Sequence, residues 1–322
     1  MLIKRKRGWE IPENRVTPEA VYLNRRQLMA AGGALIGGAV ISLGPEEAAA
    51  AEDPSSKLYP VPTNEKYPAG RAITPEKDNL VYNNFYEFRL GSAGDSSEAA
   101  AKLPIRPWQI KVDGLVEKEF TLGIDDLLAK VKLEERVYRH RCVETWAMVV
   151  PWSGFPMADF VALAKPLGSA KYVRMETFMN PEVAAGQRAF QYPWPYVEGL
   201  TMAEATNELT LLVTGAYGNP VANQMGAPIR LHTPWKYGFK SVKSIVRFTF
   251  TEERPLNFWQ ETQGREYGFW ANINPDVPHP RWSQRVERLL GTNEQVLTTL
   301  YNGYGEFVAS IYAGMEDERL FM

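Results

Sequence analysis

The sequence predicts a strand-rich α+β fold of mixed sheets with short helices, and three observations carry that expectation. Short segments that alternate in polarity, or run rich in β-branched and aromatic residues, recur along the chain. They are punctuated by 25 glycines and 23 prolines, residues that interrupt regular elements and mark turns. No internal repeat is visible, which argues against a solenoid or propeller. The 322 residues, 45% hydrophobic and 23% charged, have the composition of a globular protein able to bury a sizeable core.

Element by element, residues 52–80 are rich in Pro, Lys and Glu and read as an extended surface segment. Residues 83–88 form a short aromatic run, and a loop follows from Gly91 to Leu103. Trp108–Val112 alternates like a strand and ends on Asp113-Gly114, a strong turn signal. Gly123–Val131 reads as a short helix. Val137–Val143 reads as a strand with Cys142 at its end. Tyr172–Phe178, Leu209–Thr214, Ile229–Thr233 and Ser244–Thr251 complete the clear strands.

The first 51 residues read as an address. Lys4-Arg5-Lys6-Arg7 opens a polar leader. Arg25-Arg26 then directly precedes a weakly apolar run from Ala30 to Leu43, and Ala48–Ala51 supplies a small-residue cleavage site. The apolar run is shorter than the roughly 20 residues a membrane-spanning helix needs. Basic region, apolar run and Ala-rich site come in signal-peptide order, and the paired arginines point to the twin-arginine export machinery. The expected mature protein is thus a single domain of residues 52–322 in the periplasm. That route carries folded proteins, which suits a cofactor inserted before export.

Residues 52–322 hold 29 basic against 33 acidic residues, a net of −4. Nucleic-acid binding needs a broad basic face, so no nucleic-acid partner is expected. One cysteine and three histidines exclude a zinc ribbon, an iron–sulfur cluster and haem attachment. HExxH, GxxxxGK[ST], GxSxG and GxGxxG are all missing.

Two constellations could carry chemistry. Arg139-His140-Arg141-Cys142-Val143-Glu144-Thr145-Trp146 sets a cysteine among cations, which would lower the thiol pKa and favour the metal-binding thiolate. Alternatively the arginines sit on a solvated strand face and the cysteine is a buried bystander. A lone thiolate can hold a metal only if the metal brings further ligands, as molybdenum does on the dithiolene of molybdopterin. The second constellation is Gly226-Ala227-Pro228-Ile229-Arg230 followed by Pro234–Lys243. Its glycines allow close backbone approach, and its Arg and Lys side chains could hold a phosphate by charge-assisted hydrogen bonds.

Five longer stretches carry a resemblance: Asn83–Phe88, Arg141–Trp152, Tyr192–Leu200, Pro234–Lys240 and Asn274–Ser283. Together they resemble the catalytic subunits of the periplasmic protein-methionine-sulfoxide reductases, within the sulfite-oxidase fold superfamily. The similarity runs from the leader to the last residues. It implies a sulfite-oxidase molybdopterin-binding fold and a Mo-molybdopterin cofactor. Cys142 would be the molybdenum ligand, and Asn83, Tyr86, Glu87, Thr177, Arg230, Ser241, Val242 and Lys243 would contact the cofactor. It also implies reduction of methionine sulfoxide in exported proteins, the oxygen passing to reduced molybdenum, with electrons from a haem-containing integral membrane subunit fed by quinone. Oxidised periplasmic proteins would be the substrates, and methionine sulfoxide is a common oxidative lesion that can be reversed by reduction. Where the family has Asn before Gly-Ala-Pro, this chain has Met225; Asn223 or a backbone contact would have to compensate. Glu144 and Tyr237 are candidate proton donors.

Two other readings compete. A sulfite oxidase would carry a basic run after its ligand cysteine, where this chain has Val143-Glu144-Thr145-Trp146. A non-catalytic periplasmic binding protein with an aromatic pocket would carry no molybdenum.

Overall fold

The structure is a computed structural model that describes residues 53–322. The expected signal peptide therefore lies outside the described residues. In chain order the strands are β1 (Gln109–Gly114), β2 (Phe120–Gly123), β3 (Glu134–Arg141), β4 (Trp146–Pro156), β5 (Tyr172–Thr177), β6 (Val197–Thr201), β7 (Leu211–Ala216), β8 (Asn219–Pro220), β9 (Arg230–His232), β10 (Ile245–Thr251), β11 (Val286–Leu289) and β12 (Gln295–Leu297). They make two mixed sheets, one ordered β2-β1-β10-β5-β6 and one ordered β12-β11-β4-β7-β8, with β3 paired to β4 and β9 to β7.

In the first sheet β1 runs parallel to β10, with Val112 opposite Phe248, and β10 runs antiparallel to β5, with Phe248 opposite Met175. The strict alternation of buried and half-buried residues along β5 is what an amphipathic strand shows. The longest described helix is only eight residues, Met157–Ala164, and it ends on Lys165 in the left-handed region at φ 51°. It buries Phe160 against Phe248 of the sheet, ring centroids 4.3 Å apart.

The second sheet is built on β4, which pairs with β3 along most of its length, with β7 at its far end and with β11 at its start. Ten of its eleven residues are buried. Gly154 sits at its bulge, where a Cβ would lie 2.2 Å from the Leu212 carbonyl oxygen. Only glycine permits that approach.

Several expectations are corrected. Residues 59–69 are not merely a surface segment: Tyr59, Tyr67 and Ala69 are buried, and the Tyr59 hydroxyl donates to Thr214 Oγ1 at 2.8 Å. Aromatic side chains anchor a Pro-rich stretch that composition alone reads as exposed. The loop Gly91–Leu103 contains a helical turn at Ser97–Ala100. β2, β4, β6, β8, β11 and β12 are not among the strands the sequence predicts.

Candidate active site

The β3–β4 hairpin closes through Cys142–Thr145, and this tight turn presents the cysteine. The Cys142 N–H donates to the Trp146 carbonyl at 2.9 Å and the Thr145 N–H to the Cys142 carbonyl at 3.1 Å. Thr145 takes φ 72° to make the reversal, a conformation that costs free energy for a β-branched residue and persists where surrounding structure fixes it.

Cys142 faces a cleft of about 680 Å³. The walls come from four places: the aromatic run near Asn83–Glu87, the cysteine hairpin, the segments around Met225–Arg230 and Gly238–Lys243, and residues of the C-terminal third. Its Sγ accepts the Glu144 N–H at 3.5 Å and the Asn84 side-chain N–H at 3.7 Å. The Glu144 carboxylate stands 4.0 Å from Sγ, held by Asn84 Nδ2 at 3.0 Å and Trp146 Nε1 at 3.1 Å.

The expected cationic activation of the thiol is outweighed: the Arg141 charge lowers the thiol pKa, but burial and Glu144 raise it further. Arg141 is fully buried and turns away, donating to Glu287 at 2.9 Å, to Gln284 at 2.8 Å and to the Cys142 carbonyl. Arg139 donates to the Ala69 and Asn302 carbonyls. Neither arginine lies on a solvated face. Burial, reinforced by Glu144, pushes the Cys142 thiol up to about 12. Without a metal the group is a neutral thiol; a coordinated metal deprotonates it outright.

Deeper in the cleft lies an uncompensated cation. Arg230 is 4% exposed and donates only to carbonyls, of Met225 at 2.7 Å, Leu231 at 3.3 Å and Ser241 at 3.4 Å. Among the described residues it has no carboxylate partner within 4.0 Å, and burial pulls its pKa down to about 9. Lys243 Nζ donates to the Asn84 carbonyl at 2.8 Å; burial and the Arg230 charge lower it, to about 7, against the attraction of Glu87. Burial raises Glu87 to about 7. Three buried polar atoms of wall residues, Asn84 Oδ1, Trp152 Nε1 and Ser241 Oγ, have no protein partner. A buried guanidinium and orphaned polar atoms, the Trp152 and Ser241 donors and the Asn84 acceptor, are costly unless a ligand satisfies them. An anionic, hydrogen-bonding group such as a pterin phosphate fits this donor set. No cluster of three metal-ligating side chains occurs among the described residues, so a metal here must arrive with ligands of its own.

Of the residues the resemblance named, Asn83, Tyr86, Glu87, Cys142, Arg230, Ser241, Val242 and Lys243 all line this one cleft. Thr177 stands one layer back, its hydroxyl donating to the Lys243 carbonyl at 2.6 Å. Met225 lines the wall, and its carbonyl is the acceptor for Arg230. Asn223 does not stand in for the missing amide, because its Nδ2 is spent on the Ala100 and Leu103 carbonyls at 2.9 and 3.1 Å. Tyr237 is buried outside the cleft wall, whereas Glu144 lines it. Lys236 and Lys240 serve structure instead of a phosphate: they pair with Glu204 at 2.5 Å and Glu198 at 2.6 Å, all four side chains fully buried.

Sequence reasoning missed Asn84, His140, Trp152, Trp259, Arg281 and Arg288 as wall residues. Asn84, His140, Trp152 and Arg281 lay inside quoted motifs and were legible in principle; Trp259 and Arg288 are placed by tertiary contacts. His140 stacks on His232, ring centroids 5.4 Å apart. His232 is fully buried with both ring nitrogens unpaired, and burial pulls it down to about 3. Between about pH 3 and 6.5 the unfolded chain takes a proton there that the folded chain refuses, so acidification below pH 6.5 removes stability at up to about 1.4 kcal/mol per pH unit. His232→Phe should flatten that slope in denaturant titrations at pH 7.5, 6.0 and 5.0; an unchanged slope would show that His232 is protonated in the fold.

Residues 98–259 match the family "Oxidoreductase molybdopterin binding domain", a span that contains Cys142, Arg230 and Lys243. The chain is 44% identical over 320 residues, 98% of this chain and 96% of the other, to the protein-methionine-sulfoxide reductase catalytic subunit MsrP of Burkholderia mallei. The sulfane dehydrogenase SoxCD of Paracoccus pantotrophus shares 15% identity at a TM-score of 0.44 over 80% of this chain and 66% of that one. The chain belongs to the molybdopterin-binding oxidoreductases, in the family of protein-methionine-sulfoxide reductase catalytic subunits.

Proposed function

We propose that this chain reduces methionine sulfoxide in exported proteins, in the periplasm, after delivery by the twin-arginine route. The observation that carries the reading is the near full-length 44% identity to a protein-methionine-sulfoxide reductase catalytic subunit. A cleft that joins a lone thiol to an uncompensated buried guanidinium supports it. Cys142 is the protein ligand for molybdenum. Arg230, Lys243 and Ser241 hold the phosphate end of the cofactor, and Asn83, Tyr86 and Glu87 border it. When bound, molybdenum on molybdopterin supplies the two-electron reduction that removes the sulfoxide oxygen.

The remaining work falls to the chain. Asn84 and Trp146 fix Glu144 in one orientation beside the sulfur, which makes Glu144 the group placed to deliver a proton as the oxygen departs. Glu144→Gln keeps the Asn84 contact possible but removes the proton. We expect kcat to fall roughly 10²–10⁴-fold, the usual worth of a positioned acid, with molybdenum content retained. Unchanged turnover with that variant would exclude Glu144.

Electrons must come from elsewhere. Among the described residues no helix is long and apolar enough to cross a membrane, and the single cysteine rules out an iron–sulfur cluster of the chain's own. A haem-containing integral membrane subunit, fed from quinone, is the proposed donor. The purified holoenzyme should reduce an oxidised protein with a strong artificial donor, stall with quinol, and recover quinol-driven turnover when membranes containing the haem subunit are added. Rapid sulfite oxidation with negligible sulfoxide reduction would decide for the sulfite-oxidase reading.

A further inference from the structure

Two arginines of the cleft have no role in holding the cofactor or the proton. Arg288 lies on β11 opposite Trp146 of β4, and its N–H donates to the Thr145 carbonyl at 2.8 Å. The hairpin turn that presents Cys142 therefore also fixes the backbone of Arg288. Its guanidinium donates to the Tyr82 hydroxyl and to Asn293 Oδ1, both at 2.9 Å. Both partners are neutral, and among the described residues no carboxylate lies within 4.0 Å of it. Arg281 enters the same cleft with its side chain 54% exposed, packed over Trp282 at 4.8 Å and paired to Glu266 at 2.8 Å.

The charge balance of the cleft runs against that of the protein. Its walls carry Arg230, Lys243, Arg281 and Arg288 against Glu87 and Glu144, whereas residues 52–322 are net acidic. Arg230 and Lys243 are buried or nearly so, and a cofactor phosphate accounts for them. The two outer arginines remain, Arg288 with no carboxylate partner among the described residues and Arg281 in a partly exposed pair with Glu266. A sulfoxide is a neutral dipole and does not need them. A polypeptide that inserts a methionine-sulfoxide side chain must leave its neighbouring residues, 3.3–3.6 Å apart along an extended chain, at the rim.

We propose that Arg281 and Arg288 form a specificity rim that selects sulfoxides flanked by Asp or Glu in the substrate chain. The inference rests on the reductase reading above and adds the substrate class. Partly exposed ion pairs are individually weak, so each arginine should be worth up to about fivefold in kcat/KM. Rim charges also act on association and are sensitive to salt.

The test uses molybdenum-loaded enzyme and an artificial donor. The substrates are free methionine sulfoxide and three peptides identical except for Glu, Gln or Lys on either side of the sulfoxide. The expected order of kcat/KM is Glu above Gln above Lys, carried by KM, with a spread of roughly tenfold at low salt that shrinks near 0.5 M salt. Arg288→Glu should invert the order and Arg288→Lys preserve it; a purely structural role produces no inversion. If Arg288→Glu does not fold, Arg281→Glu makes the same test at the exposed position. Equal kcat/KM for all three peptides overturns the proposal. So does a charge reversal that leaves their order unchanged, including one that impairs only turnover driven by donor membranes, which would assign the rim to the electron donor. Failure to reduce even free methionine sulfoxide overturns the reductase reading itself.

Discussion

Replacing Cys142 with Ser should abolish sulfoxide reduction while leaving a folded protein that still contains pterin. The oxygen of serine is hard and poorly ionised, and it cannot take the place of a soft thiolate on a metal that arrives with sulfur ligands. Changing groups merely behind a metal ligand costs 10–100-fold, so loss of the ligand atom itself should cost more than about 100-fold. Folding should be nearly unaffected. Cys142 makes only weak contacts through sulfur, to the Glu144 N–H and Asn84, and Ser is close to it in size. The cofactor's other end keeps Arg230, Lys243 and Ser241. The decisive measurements are turnover with an artificial donor, molybdenum and pterin content, and a thermal melt on one preparation. Near wild-type turnover in Cys142→Ser would refute the ligand assignment.

Arg230→Met should yield a folded protein largely empty of cofactor. Arg230 is the only buried arginine of the cleft wall, and its donors now reach nothing but carbonyl oxygens. A charge-assisted contact is typically worth about 1.5–3 kcal/mol, roughly 10- to 150-fold in affinity. Methionine keeps the apolar stem that packs beside Trp152, whose ring lies 5.0 Å from the guanidinium carbon, so the loss should be of charge and not of packing. The molybdenum-to-protein ratio of purified variant is the readout, with Arg230→Lys as the partial rescue. A full complement of molybdenum in Arg230→Met would remove Arg230 from the cradle.

The contrast between Cys142 and its neighbours shows where sequence reading succeeds and fails. The candidate ligand stands out because it is the one cysteine in the chain, set in a motif that carries the family resemblance. The state of that cysteine does not. Arg139 and Arg141 are adjacent in sequence, yet Arg141 is drawn to Glu287, 146 positions away. No local pattern announces that partner, and its capture of the guanidinium leaves burial to set the thiol.

The strands divide in the same manner. β5 alternates, because one face meets the core and the other is half open, and alternation is visible in the residues. β4 is buried on both faces, so its run of Trp, Met, Val and Phe has no period to read, and its prolines and glycine look like breaks. Its identity as the centre of the second sheet depends on β3, β7 and β11 closing around it.

From the sequence alone follow the strand-rich α+β class, the lone cysteine proposed as metal ligand, the Arg230–Lys243 cluster proposed as the cofactor cradle, and the family. Each rests on residue types whose preference is local: turn formers, alternating strands, one soft ligand, clustered cations. Tertiary structure alone decided that Lys236 and Lys240 pair with buried carboxylates while Arg230 and Lys243 stay free for an anion. It also brought Arg281 and Arg288, from beyond residue 280, to the cleft that Cys142 faces. Charge compensation is settled between groups distant in sequence, and only the closed chain determines which cations are left without a partner.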